Sequence, residues 1–381
     1  MSNEKKILLA LNSFKGSLSS TQANKALKSG MDQSRFFKLV DIFPLCDGGD
    51  GSLEVLQQHL KVLKLRVNTI DAYGDPITGN YLWDSIRRTA YIELAVASGL
   101  ARIQSQRKNI LKANTIGTGI LIKHALTKGA RKIILMVGGS ATNDAGLGIL
   151  AALGFRFLDN RKKVVKPTPG LMDHIGDVDT SKSIFPSHVH LEVWTDVNNP
   201  FDGSEGAVAI YSKQKGANAS DQLLLEKGMT RFRKMIFEKY GIDLNTIQGT
   251  GAAGGVGGGL IPFLNASIRH GTQEILRLTH FSDALKSYHV VITGEGSLDI
   301  QSAYGKLVQG VIQEAKRIPL PVIGICGSNF LNPSQARKIG FEAVFSLVPG
   351  PISLAEAMKD TKRYLTSLGY NISGLVKACA A

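Results

Sequence analysis

ILLALNSFKGSLSSTQANKAL, residues Ile7–Leu27, decides the architecture. Ile7–Leu11 is an apolar run too short for a helix, and it gives way to a polar glycine loop, Ser13–Ser17. Ser19 and Gln22 then form a capping box ahead of Ala23–Leu27, each side chain meeting the other's backbone N–H. The order is strand, loop, helix. A second strand over Phe37–Phe43 leads to another glycine loop at Asp47–Gly51 and a helix through Leu53–Leu60. The chain therefore opens as βαβα, the pattern of a parallel sheet with crossover helices.

The same rhythm returns after about residue 286, with strands at Val290–Thr293, Val322–Cys326 and Ala343–Val348. Helices at Gly305–Lys316, Pro333–Lys338 and Leu354–Leu368 alternate with them. Two strands at the start and three at the end give the count of a flavodoxin-like doubly wound sheet. The expected organisation is a discontinuous α/β domain from residues 1–62 and 287–381, with residues 63–286 inserted as a second α/β domain and the active site in the cleft between them. Within the insert, Val62–Asp71 and Tyr81–Ala97 read as extended or hairpin strands around the turn Gly74–Pro76. A helix follows near Thr118–Leu126. Ile133–Val137 and Leu191–Thr195 are strands, and Asp221–Tyr240 is a long amphipathic helix.

Bulk properties narrow the class. Of 381 residues, 43% are hydrophobic and 20% charged, as in an ordinary globular protein. The formal charge of +14 comes without a compact basic run, zinc-finger or helix-turn-helix signature, so no nucleic-acid partner is expected. A diffuse positive field does suit anionic small substrates. Cys46, Cys326 and Cys379 are widely spaced, which argues against a disulfide framework or zinc site. No apolar stretch is long enough for a membrane span, and the polar start, Met1–Lys6, is unlike a signal segment. The expected location is cytoplasmic, with no membrane partner; a homo-oligomer is compatible with all of this.

The 41 glycines are concentrated in a few short segments. Ser13–Ser17, Asp47–Gly51, Gly138–Asp144 and Thr293–Asp299 share one grammar, an apolar strand followed by glycine with Ser, Asp, Asn or Lys and then a helix. In an open α/β sheet such loops line the ligand crevice at the carboxyl ends of the strands. Helix N-termini there offer free N–H groups to phosphate. Phosphoryl transfer further needs cations over the developing charge and an acid to hold metal or take the acceptor's proton. Lys15 and Lys306 are candidate cations; Asp47, Asp144, Asp196, Glu295 and Asp299 are candidate acids. An Asp after a strand can equally be a helix N-cap.

Other chemistries find less support. No GxxxxGK[ST] is present. A GxGxxG does occur at Gly249, Gly251 and Gly254, the basis for an alternative as an NAD(P)-dependent hydroxy-acid oxidoreductase, but Ile242–Gln248 ahead of it is a poor strand. His188 and His190 lack a third metal ligand and are read as structural. No GxSxG or HExxH occurs.

Taken together, the segments resemble one family. SFKGSLS at Ser13–Ser19, CDGGDGS at Cys46–Ser52, GGSATNDAGLG at Gly138–Gly148, TDVNNPFDG at Thr195–Gly203, KQKGA at Lys213–Ala217, GAAGGVGGGL at Gly251–Leu260 and TGEGSLDIQSAYGK at Thr293–Lys306 resemble, in order, the motifs of bacterial glycerate kinases. The resemblance implies ATP- and Mg²⁺-dependent phosphorylation of D-glycerate, the 2-phosphate favoured over the 3-phosphate. It also implies a flavodoxin-like domain plus a second α/β domain likened to restriction endonucleases. Cys46, Asp50 and Ser297 depart from the family's common residues. A non-catalytic sugar-acid sensor is the other alternative, against which the retained acids argue.

The resulting assignments are expectations. Asp196, Lys15 and Asp47 are catalytic, with Asp196 as base. Gly138, Gly139, Ser140, Gly294, Gly296 and Lys306 meet nucleotide phosphates. Ser13, Lys15, Asn143, Asp144 and Asn198 bind substrate. Asp47, Glu295 and Asp299 hold the metal.

Overall fold

The computed structural model describes residues 5–33, 39–103, 109–300 and 307–380. Its strands, numbered in chain order, begin with β1 (Ile7–Leu11) and β2 (Val40–Ile42). Then come β3 (Leu63–Ile70), β4 (Pro76–Asp84), β5 (Thr89–Glu93), β6 (Lys132–Met136), β7 (Arg156–Leu158), β8 (Val164–Val165), β9 (Asp177–Asp179), β10 (His190–Thr195) and β11 (Ser267–His270). The last are β12 (Val290–Leu298), β13 (Val322–Asn329) and β14 (Ala343–Ser346). They divide between two compact units. One draws on Met1–Asp47, Glu54–His59 and Thr272–Ala381, the other on Gly48–Leu53 and Leu60–Gly271.

The first unit is built on a five-stranded sheet of order β14-β13-β12-β1-β2, every neighbouring pair parallel. Counted within the unit, this is the 2-1-3-4-5 order of flavodoxin-like sheets, with its switch point between β1 and β12. All of β1 is buried, as a central parallel strand covered on both faces demands. Helix Ser20–Gln33 carries Ala23, Leu27 and Met31 into one core with Leu365 and Ile372 of the C-terminal helix Thr361–Ala380. The capping box forms: Ser19 N–H donates to Gln22 Oε1 at 3.0 Å, and Gln22 N–H to Ser19 Oγ at 3.4 Å.

One segment differs from its expected form. Thr293–Leu298 is not a loop; β12 continues through it and pairs Glu295, Ser297 and Leu298 with Cys326, Ser328 and Asn329 of β13. Glycine makes this possible. A Cβ on Gly294 would overlap the carbonyl of Ile325, so the bare backbone lets the strands close.

The second unit has a six-stranded mixed sheet, β11-β10-β6-β5-β4-β3, and a small antiparallel sheet, β8-β7-β9. β5, β6, β10 and β11 run parallel, while β3, β4 and β5 are antiparallel. The β3–β4 turn is held by Asp71, whose carboxylate accepts the N–H groups of Tyr73 and Asp75. The hairpin form of the expectation is the one found: β3 and β4 pair across this turn, and Tyr81–Ala97 carries the end of β4, a break, β5 and a short helix, Ala95–Ser98. The break falls where Asp84 accepts the N–H groups of Ile86 and Arg87, closing a turn. Helix Ala219–Tyr240 starts at an Asn218–Asp221 capping box and buries Leu225, Phe232 and Ile236 in this unit's own core.

Candidate active site

At the switch point of the first unit, β1 hands over to the polar loop. Asn12 N–H donates to Gly294 O at 2.9 Å, and Thr293 Oγ1 donates to Ala10 O at 2.8 Å, so the ends of β1 and β12 are fixed to each other. Buried Asn24 holds both backbone groups of Leu11. Ser20 Oγ donates to Leu11 O and accepts from Leu45 N–H, tying the approach to Asp47 to the same strand end. Ser13 is half-buried at the mouth of this loop. Lys15 sits on its turn, 82% exposed, with Nζ 3.9 Å from Asp47 Oδ2. An ion pair that long and that wet holds the lysine weakly, leaving it able to swing toward an anion.

Glu295 and Asp299 are half-buried at the carboxyl end of β12, and Gly296 is exposed there with open space beside it. Gly294 sits in the β1–β12–β13 ladder, where its bare backbone lets the strands close. Lys306 lies outside the described residues.

In the second unit the parallel strands β5, β6 and β10 end side by side. Gly138–Asp144 leaves β6. Gly138 packs on Gly49, and Gly139 lies against the carboxylate of Asp50. Ser140 and Thr142 are bound by the ammonium of Lys215, at 2.9 Å to Ser140 Oγ and 2.7 Å to Thr142 O. Lys215 is only 3% exposed. Burial pushes its pKa down to about 7, against the attraction of Asp144.

Asp144 is fully buried. Its carboxylate accepts from Thr115 N–H, Thr115 Oγ1, Gly146 N–H and Gly148 N–H. It thereby ties the start of helix Ile116–Thr127 to that of helix Leu147–Ala152. This geometry makes Asp144 a tie between two helix starts and the loop before them.

Glu93 ends β5 and is 6% exposed. It accepts the N–H of Ser52 at 3.0 Å, and those of Gly51 and Leu53 at the start of helix Ser52–His59. An internal carboxylate thus fills the anion-binding end of that helix. Burial raises its pKa to about 7, with a further push from Asp50. Neither Glu93 nor Lys215 stands out from the sequence alone. The one signal was an acid closing an apolar strand, and a lysine among small residues in KQKGA.

A test follows from Glu93. Between its ordinary value of 4.5 and about 7 the folded state holds a proton that the unfolded state has lost. Stability contributed here is present below pH 4.5 and is lost as pH rises through 7. Glu93→Gln removes that loss. Urea unfolding of both proteins at pH 5 and pH 8 is expected to show the variant gaining on wild type by about 3 kcal/mol at the higher pH. A pH-independent difference would remove Glu93 as the titrating group.

Asp196 is half-buried directly after β10, and Asn198 is exposed two residues on. The Gly249–Gly254 fingerprint lacks its context: a 3₁₀ turn, Leu244–Thr246, and not a strand, precedes it, and Ala253–Gly255 adopts left-handed backbone inside the helix it should open. Among the described residues no group of three or more His, Cys, Asp or Glu side chains is placed to hold a metal ion. Mg²⁺ needs fewer, because it is held by one or two carboxylates with phosphate oxygens and water. The hard oxygen donors of Asp47, Glu295 and Asp299 suit it chemically. No helix among the described residues is long and apolar enough to cross a membrane.

Known proteins match this chain along nearly its whole length. The model of the glycerate kinase family matches residues 7–377. Glycerate kinases of Halalkalibacterium halodurans and Bacillus subtilis are 37% and 35% identical, covering 96% and 98% of this chain and 97% and 98% of theirs. The glycerate 2-kinase of Escherichia coli is 31% identical and is matched over 97% of both chains. A crystal structure assigned to glycerate kinase 2 of Salmonella typhimurium LT2 superposes with a TM-score of 0.82 at 34% identity, covering 99% of this chain and 100% of that one. From β1 into the C-terminal helix, then, this chain belongs to the glycerate kinase family.

Proposed function

We propose that the chain transfers the terminal phosphoryl group of ATP to D-glycerate, at the 2-hydroxyl, with Mg²⁺. The observation that carries this is placement. Ser13–Ser17, Gly138–Asp144, Asp196 and Glu295–Asp299 each lie at the carboxyl end of a parallel strand, where open α/β sheets bind ligands. Membership of the family supports the reaction, and the name of the Escherichia coli relative supports the 2-phosphate.

In this reading Lys15 offsets phosphate charge, with Lys306 as the second cation, and the Gly138–Ser140 and Gly296 backbone approaches phosphate oxygens. Asp47, Glu295 and Asp299 supply the one or two carboxylates for Mg²⁺, which when bound neutralises charge on the phosphates. Asp196 orients the acceptor hydroxyl and takes its proton. Ser13, Asn143 and Asn198 contact the hydroxy-acid, and Asp144 positions the loop that carries Asn143.

ADP release should require ATP, D-glycerate and a divalent cation together, and stop when EDTA removes the metal. Turnover undiminished by EDTA would remove the metal from the scheme. An absorbance change at 340 nm with NAD(P) and glycerate, and no ADP, would replace a kinase by an oxidoreductase.

A further inference from the structure

Thr142 and Asn143 are fully buried, yet the Thr142 hydroxyl and both ends of the Asn143 amide have no hydrogen-bond partner in the protein. Folding rarely tolerates even one such atom. Here three fall on adjacent residues, in a loop whose backbone is otherwise well held. Lys215 grips Ser140 and the Thr142 carbonyl, Asp144 is saturated by its donors, and Ala145 N–H donates to Gly254 O at 3.0 Å. The loop is rigid and its side-chain polar groups are unspent.

The wall against Asn143 explains why they stay unspent. Gly254, at φ +70°, presents bare backbone: a Cβ there would overlap the Thr142 carbonyl and press on Asn143 Cα. Its own carbonyl is already used by Ala145.

We propose that Thr142 and Asn143 are the specificity determinants for the hydroxy-acid, binding the hydroxyl that is not phosphorylated. This rests on the glycerate kinase reading above. The chemistry selects a hydroxyl over a carboxylate. An amide offers N–H donors and a carbonyl acceptor, and a threonine hydroxyl offers both roles, which matches an alcohol that donates and accepts. A carboxylate only accepts, and the nearby ammonium is already turned to Ser140 and Thr142.

The test compares kcat/KM for D-glycerate with that for the analogue keeping only the reacting hydroxyl, D-lactate for 2-phosphorylation or 3-hydroxypropanoate for 3-phosphorylation. A site built to bond a substrate hydroxyl rejects the analogue lacking it by about 10⁴-fold or more. Asn143→Leu, of similar volume, is expected to cut activity on glycerate by at least ~100-fold and leave the analogue within about threefold, lowering the preference by about 100-fold. Thr142→Val, which changes one atom of the side chain, is expected to lower the preference by about tenfold, and decides the matter if Asn143→Leu does not fold. Equal losses on both substrates, or an unchanged preference, would overturn the proposal alone. Wild-type protein inactive on D-glycerate would overturn the function and the proposal with it.

Discussion

Asp196→Asn is expected to lower kcat by about 10²–10⁴-fold, the usual contribution of a well-placed base. Asp196 follows β10, a strand bonded on both sides by β6 and β11, so its Cα position is set by the sheet. The adjoining turn is local, with Val197 N–H donating to Thr195 Oγ1. Asparagine keeps the size of the side chain, but it trades one acceptor oxygen for an N–H donor and cannot accept a proton at neutral pH. Thermal unfolding should therefore stay near wild type while turnover collapses, and KM should move little if the base acts mainly in the transition state. A loss below about tenfold would pass the role to Asp47 or Asp299.

The largest expected effect on stability comes from Asp144→Ala, at about 3–5 kcal/mol, because several buried donors lose their acceptor at about 1–3 kcal/mol each. The substitution strands donors from Thr115, Gly146 and Gly148 and leaves Lys215 buried without its neighbouring negative charge. Thr115→Val is the milder control. It loses a hydroxyl that donates to Asp144 and accepts from Ile149 N–H, and should cost about 1–3 kcal/mol. Urea denaturation of the three proteins orders them. An Asp144→Ala protein no less stable than Thr115→Val would mean that Asp144 does not organise the loop.

What could be read from the sequence was local. The Ser19–Gln22 box spans four residues, and the alternation of short apolar runs with helices is enough to imply the flavodoxin-like sheet. The same logic fails where distant chain decides. Gly294–Ser297 has loop composition, but pairing with Cys326–Ser328 makes it strand, tertiary contact overriding propensity. Glu93 looks like an ordinary strand-ending acid until Ser52, 41 positions earlier, places a helix N-terminus on it. Lys215 looks like a surface lysine until Ser140 and Thr142, in another loop, bury it. Asp144 reads as a ligand contact or a cap, and its four donors from Thr115, Gly146 and Gly148 are set by contacts up to 29 positions away.

The central claim is phosphoryl transfer to glycerate, and the product tests it most directly. The purified protein is incubated with ATP, Mg²⁺ and ¹³C-labelled D-glycerate, and the mixture is read by ³¹P and ¹³C NMR. The expected result is a new phosphomonoester signal coupled to C2, matched by stoichiometric ADP. Coupling to C3 would keep the kinase and contradict the regiochemistry. Folded protein that binds glycerate but forms no phosphomonoester would contradict the account itself.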